Sequence, residues 1–235
     1  NQKLVDLDNA INTAAAAGAG ANGWTDTLIA LPFGRTQRQK NFDIVSVKDY
    51  GAKGDGVTDD TVAINKAFES GANIILFTSG TYLINGYIKP QSNTYIIGYG
   101  ATVKFKDYTS SLHLMSVNNV TVEGLKINGN QYAWTSWSGS GIGIFKSSYI
   151  TIRNVEIYHC AQAAINIGQT SEDPLEPINN KILVDNCYLH DLGSADIKTF
   201  YAYSNGVAVV RGKDVVIRNN WIDNVYDIGG INLEG

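Results

Sequence analysis

Four stretches of this chain fall into one register: Val120-Thr-Val-Glu-Gly-Leu-Lys-Ile127, Ile150-Thr-Ile-Arg-Asn-Val-Glu-Ile157, Ile182-Leu-Val-Asp-Asn-Cys-Tyr-Leu189 and Val215-Val-Ile-Arg-Asn-Asn-Trp-Ile222. Their starts lie 30, 32 and 33 residues apart. Self-similarity at such a period marks a stacked repeat. Each is followed by a second short strand pattern: Ile142-Gly-Ile144, Ile165-Asn-Ile167, Val207-Ala-Val209 and Ile231-Asn-Leu233. The apolar residues alternate with period two and show no helical period. The expected fold is all-β, a right-handed single-stranded parallel β-helix whose turns stack about 4.8 Å apart.

The register predicts what each place does. Places one, three, six and eight point inward, so Val122, Ile152, Val184 and Ile217 form one buried column. Place four points out and reads Glu123, Arg153, Asp185, Arg218, a column of alternating sign that should pair along the surface. Exposed pairs contribute little each. Place five reads Gly124, Asn154, Asn186, Asn219. Gly and Asn tolerate the left-handed backbone that a sharp bend needs, and stacked Asn amides can bond from turn to turn in a buried ladder.

Composition agrees with many short strands and turns: 24 Gly, 13 Tyr and 17% charged residues. A net charge of −4 without a basic run argues against a nucleic-acid groove. No apolar stretch of about 18 residues predicts membrane insertion, and no signal-peptide pattern is present. Cys160 and Cys187 occupy different columns and read as small core residues, not as a disulfide. His113, His159 and His190 have no ligand spacing, so neither a metal site nor any cofactor is expected.

Before the repeats, Leu4, Leu7, Ile11 and Ala14 or Ala15 have heptad-like spacing. They read either as an isolated helix or as the stub of a neck that holds chains together. Residues 1–43 are thus a neck helix and connector, and residues 44–70 a first strand and capping helix. Residues 71–235 are β-helix turns, with further turns expected beyond Gly235. Within residues 44–70, Thr58 is expected to cap a helix whose apolar stripe is Ile64, Ala67 and Phe68. Asp59 and Asp60 would favour its positive end. Gly54-Asp-Gly56 lacks the Lys-Ser/Thr of a phosphate loop.

The stretch Ile44-Val-Ser-Val-Lys-Asp-Tyr-Gly-Ala-Lys-Gly-Asp-Gly-Val-Thr-Asp-Asp-Thr-Val-Ala-Ile-Asn-Lys-Ala-Phe68 resembles the opening motif of the pectate-lyase-like β-helix superfamily. With the connector before it and the turns after it, the chain most resembles bacteriophage tailspikes. That resemblance implies a homotrimer on the virion tail, attached to the tail or baseplate through its N-terminal region. It also implies binding, and usually cleavage, of bacterial surface polysaccharide: capsule, exopolysaccharide or O-antigen. It carries no universal catalytic motif onto these positions.

The chemistry has to come from loops and from the outer face of the second strands. Long loops follow the first segment in repeats one and three, at residues 128–139 and 190–204, and should flank a groove. They carry Tyr132, Trp134, Trp137, Tyr201 and Tyr203, aromatic surfaces suited to sugar rings. The groove floor reads Gly143, Asn166, Ala208, Asn232 in one column and Phe145, Gly168, Val210, Glu234 in the next. Asn166 and Asn232 could bond hydroxyls. Glu234 is the floor's only carboxylate, and Asp196 and Asp191 on the third-repeat loop are its candidate partners. Paired carboxylates are what glycoside hydrolysis needs. A lyase, with Lys198 as base, and a non-catalytic receptor-binding spike remain open beside an endo-glycosidase. Glu172, Asp173 and Glu176 in residues 168–177 read as a solvated acidic loop rather than a calcium site.

Overall fold

A computed structural model describes residues 43–107, 109–130, 139–169, 177–193, 204–226 and 229–233. The neck and connector expected at residues 1–42 lie outside the described residues. From Ile44 the chain runs through β1 (Ile44–Ser46), β2 (Asp55–Asp59), α1 (Thr61–Phe68), β3 (Ile74–Leu76), β4 (Gly80–Ile84), β5 (Tyr87–Ile88) and β6 (Tyr95–Ile97). Then come β7 (Ala101–Phe105), β8 (Ser111–Met115), β9 (Asn118–Glu123), β10 (Lys126–Asn128), β11 (Ile142–Phe145), β12 (Ser148–Arg153), β13 (Glu156–Tyr158) and β14 (Ala163–Ile167). The last are β15 (Asn179–Asp185), β16 (Tyr188–Leu192), β17 (Asn205–Val209), β18 (Gly212–Arg218), β19 (Trp221–Val225) and β20 (Gly229–Leu233).

From β6 onward each strand pairs in parallel with the strand three before it, and β3 and β4 lie beside β1 and β2, which produces three sheets. The first is β1-β3-β6-β9-β12-β15-β18, the second β2-β4-β7-β10-β13-β16-β19, and the third β5-β8-β11-β14-β17-β20. This is the expected right-handed parallel β-helix. The repeat alignment holds residue for residue: Ile152 sits beside Val122 and Val184, and Val184 beside Ile217. Ile96 extends the column one turn further. Ile96, Val122, Ile152 and Val184 are fully buried, and Ile217 is packed against the same core.

Single left-handed residues make the corners. Place five does so at Gly124 (φ 73°), Asn154 (φ 54°), Asn186 (φ 51°) and Asn219 (φ 57°). The amide ladder is shorter than expected, and it is exposed rather than buried. Asn186 Nδ2 donates to Asn154 Oδ1 at 2.7 Å, whereas Asn219 Nδ2 turns to Asp185 Oδ1 at 2.8 Å. A carboxylate accepts more strongly than an amide oxygen, so the charged column beside the ladder captures one of its donors. A second corner column, Asn130, His159, Asp191 and Asn224, closes the second sheet with φ of 50–54°.

The charged column pairs as Arg153–Glu123 at 2.6 Å and Arg218–Asp185 at 3.0 Å. Glu123 corrects the outward reading, because it is only 9% exposed. Tyr95 and Tyr99, in the turn below, close over it. Tyr99 OH donates to Oε1 at 2.6 Å, Tyr95 OH donates to Oε2, and Arg153 Nε donates to Oε2 at 2.7 Å.

At the first end of the stack, α1 buries Ile64, Ala67 and Phe68, the expected stripe. Asn65 on the same helix donates to Tyr87 O (2.9 Å) and accepts from Lys89 N (2.8 Å), satisfying the edge strand β5. The cap expected at Thr58 is not there. Thr58 lies inside β2, where its hydroxyl donates to Asp55 Oδ2 at 2.7 Å. Asp59 Oδ1 accepts Thr61 N (3.0 Å), while buried Asp60 accepts Lys53 N (2.6 Å) and Gly54 N (3.0 Å) and so fixes the glycine turn. The cap position itself falls to Asp60, whose side chain makes no bond to the helix.

Candidate functional site

The outer face of the third sheet carries the expected column. Gly143 lies beside Asn166, Asn166 beside Ala208, and Ala208 beside Asn232. One turn below Gly143 the same column holds His113. The small residues leave a hollow of about 280 Å³ over β8, β11 and β14, bounded by Tyr87, His113, Phe145, Gln162 and Asn166 with Ser110 and Ser111 at its foot. Two of the bounding side chains, Asn166 and Phe145, come from the two floor columns read in the sequence.

Aromatic rings form one wall. Phe145 stacks on His113 with centroids 5.0 Å apart and planes at 27°, and Tyr87 meets His113 edge-on at 4.8 Å. The wall follows from strand register: Tyr87 and Ser111 are paired, Leu112 sits beside Ile88 and Ile142, and Phe145 beside Met115. Burial, with a smaller contribution from Lys89, pushes the His113 pKa below its ordinary 6.5. The imidazole is therefore neutral at pH 7, a ring that stacks and can exchange one hydrogen bond. Asn166 Oδ1 is buried without a hydrogen-bond partner. Buried acceptors are normally satisfied, so a donor brought beside this carbonyl by a small turn of the side chain would meet an unfilled acceptor.

Of the sequence-derived site residues, Asn166 and Asn232 share the floor column. Glu234, Asp196, Tyr132, Trp134, Trp137, Tyr201 and Tyr203 lie outside the described residues, as do Lys198, Glu172, Asp173 and Glu176. Asp191 is placed elsewhere: it lies one residue before the end of β16 in the second sheet, with left-handed backbone, and does not border the hollow. Its Oδ2 is 2.8 Å from His190 Nδ1, and Asn224 Nδ2 donates to its Oδ1. The hydrogen bonds from Asn224 and His190, and the positive charge His190 can carry, pull its pKa below the ordinary 3.8. That keeps Asp191 an ionised, engaged corner residue. It was expected on the loop because strand β16 runs two residues further than its counterparts β10 and β13.

Sequence reasoning missed His113, Phe145 as a wall, and Gln162. Extending the register one turn earlier, to Ser111–Met115, was the signal that would have placed His113 under Gly143. It also missed a cluster on the second sheet. There His190 stacks on Tyr158 (5.3 Å) and Tyr188 (4.1 Å), and its Nε2 faces Glu156 Oε1 at 3.5 Å. Lys126 pairs with Glu156 at 2.6 Å. Among the described residues no three His, Cys, Asp or Glu side chains converge to hold a metal, and no helix is long and apolar enough to cross a membrane.

Three parallel sheets, glycine and asparagine corners and a hollowed third face define a pectate-lyase-like β-helix. Within that class, the family described as rhamnogalacturonase A/epimerase, pectate lyase-like, matches residues 44–135. The chain is similar to the preneck appendage protein of Bacillus phage PZA, 30% identical across 81% of this chain and 27% of that protein. It is also similar to alginate lyase 7 of Azotobacter vinelandii, 29% identical across 72% of this chain and 22% of the enzyme. Among solved structures, pre-mature bacteriophage phi29 gene product 12 superposes with a TM-score of 0.59, 24% identity, and coverage of 81% of this chain and 32% of that one. The chain thus spans roughly a quarter of the length of these curated relatives.

Proposed function

We propose that this chain is part of a bacteriophage tail appendage that holds a bacterial surface polysaccharide along its third sheet and acts on it. The observation that carries this reading is the hollow over Gly143 and Asn166, with a stacked aromatic wall on one side and an unsatisfied buried acceptor in its floor. Aromatic faces and neutral hydrogen-bonding groups are what a sugar chain recognises. The likeness to phage appendage proteins and to a glycan-active enzyme supports both the virion setting and the substrate class.

The finer reading is an endo-glycosidase. The hollow is bordered by no carboxylate among the described residues, so it is a sugar-holding subsite, and bond cleavage is assigned to Glu234 with Asp196. Tyr132, Trp134, Trp137, Tyr201 and Tyr203 would extend the contact surface from the long loops. The complete protein is proposed to be a homotrimer on the tail; sedimentation as a monomer would refute this.

Digestion of the purified surface polysaccharide by the complete protein, with mass analysis of the fragments, tests the function. Products heavier by water indicate hydrolysis, and Glu234→Gln should then lower the rate about 10²–10⁴-fold. Unsaturated products indicate a lyase and move attention to Lys198. Binding without cleavage leaves a receptor-binding spike, and absence of both refutes the proposal.

A further inference from the structure

We propose that the hollow on the third sheet is a subsite for one uncharged sugar residue, which lays its apolar face on Phe145 and donates a hydroxyl or amide hydrogen to Asn166 Oδ1. This rests on the reading of that face as the polysaccharide site, and it names which part of a polysaccharide the face selects.

Charge favours a neutral ligand. The described residues around the hollow are aromatic, hydroxyl, amide or glycine, with no Asp, Glu, Lys or Arg among them. The neighbouring cation, Lys89, stands over the Tyr87 ring with Nζ 5.6 Å from its centroid, outside the set that borders the hollow. His113 adds no charge near pH 7, since burial lowers its pKa. A uronic acid seated here would lose water around its carboxylate, which is costly, with only Lys89 beyond the Tyr87 ring to offset the loss. An uncharged sugar carries no such cost.

The acceptor points the same way. Among the described residues Asn166 Oδ1 is buried and unpartnered, a small turn of the amide presents it to the hollow, and a carbonyl oxygen accepts only from donors. A sugar hydroxyl or acetamido N–H supplies one, whereas a carboxylate presents lone pairs to lone pairs. An unsatisfied buried acceptor is destabilising on its own, which makes it an informative residue to find in a floor.

The ring supplies the platform. Phe145 lies between two glycines: a Cβ on Gly143 would come within 2.6 Å of its Cε2, and one on Gly168 within 2.7 Å of its Cε1. Neither glycine has left-handed backbone, so the turn does not require them; the position of the ring does. With His113 stacked on it at 5.0 Å, Phe145 is held flat as a platform. A volume of about 280 Å³ is small for a ligand pocket and suits one residue of a chain, not an oligosaccharide.

The test is titration of the intact protein with tetrasaccharides of glucose, galactose, N-acetylglucosamine and N-acetylgalactosamine, set against those of glucuronate, galacturonate and mannuronate. The expected result is binding by uncharged members only, weakened about tenfold by Asn166→Leu, which keeps the side-chain shape and removes the acceptor. Gly143→Ala, which displaces Phe145 without touching a polar group, should weaken it similarly, so the proposal stays testable if Asn166→Leu misfolds. Asn166→Arg should move preference towards the uronates. Tighter binding of a uronate by the wild type, or unchanged binding by Asn166→Leu or Gly143→Ala, overturns the proposal. Failure of every tetrasaccharide to bind while the surface polysaccharide is still cut overturns the neutral subsite alone. Failure of both overturns the function as well.

Discussion

Replacing Glu123 with glutamine keeps its shape and removes its charge from a nearly buried site. Burial alone would raise the Glu123 pKa. It is outweighed by hydrogen bonds from Tyr95, Tyr99 and Arg153 and by the guanidinium charge, which bring the pKa from 4.5 down to about 2. At about 1.4 kcal/mol per pH unit that drop corresponds to roughly 3 kcal/mol as a ceiling. Arg153 is 45% exposed, so solvent screens part of the attraction and about 2 kcal/mol is the working figure. For a domain of this size that is about 4–8 °C in Tm. The carboxylate is depressed in the folded state, so its contribution is full above the unfolded pKa near 4.5. It is lost as pH falls through the folded value near 2. Thermal melts of the wild type and Glu123→Gln should therefore differ most at pH 7 and by less than half as much at pH 3. Melts within about 1 °C of each other at pH 7, or a gap indifferent to pH, would refute the reasoning.

Val184→Asp should abolish folding, because it puts an unpaired charge in a fully buried column; a soluble variant with a normal melt would contradict the register. Asn186→Ala should cost about 1–2 kcal/mol, because alanine fits φ of +51° less well than asparagine and the exposed amide bond to Asn154 is lost; an unchanged denaturant melt would count against both. Burial pushes the thiol pKa values up to about 12 at Cys160 and about 11 at Cys187, so neither should react with a thiol reagent at pH 8 until the protein unfolds. Rapid native labelling would contradict that. Gly54→Ala should destabilise by about 1–2 kcal/mol, because φ is +64° and the new Cβ would meet the Tyr82 ring at 3.0 Å; an unchanged melt would count against the strained turn.

The stacking was legible because it depends on local alternation repeated at a fixed period. Val122, Ile152, Val184 and Ile217 needed only a strand to alternate and a neighbour to match it. The bends at Asn154, Asn186 and Asn219 were legible for a related reason, since few side chains accept left-handed backbone. Glu123 was misread because its environment comes from Tyr95 and Tyr99, one turn earlier, where the repeat is too worn to align by eye. Thr58 was misread because three polar residues in a row could each serve the helix start, and only the fold decides that Asp60 holds the cap position while its side chain turns to Lys53 and Gly54 and Asp59 takes Thr61 N. The groove floor was legible from Gly143 and Asn166. Its wall was not, because His113 and Phe145 meet through sheet register between turns, not through any motif. Asp191 followed its backbone: a corner that needs φ near +50° claimed it for the second sheet.

The central claim is that the outer face of the third sheet holds the sugar chain. A crystal structure of the complete protein with an oligosaccharide cut from its surface polysaccharide tests that claim most directly. Density for a sugar ring stacked on Phe145, with a hydroxyl or amide within hydrogen-bonding distance of Asn166 Oδ1, is the result predicted. A sugar seated instead on the second sheet, against Tyr188 and Trp221, with the Asn166 hollow holding only water, would contradict it.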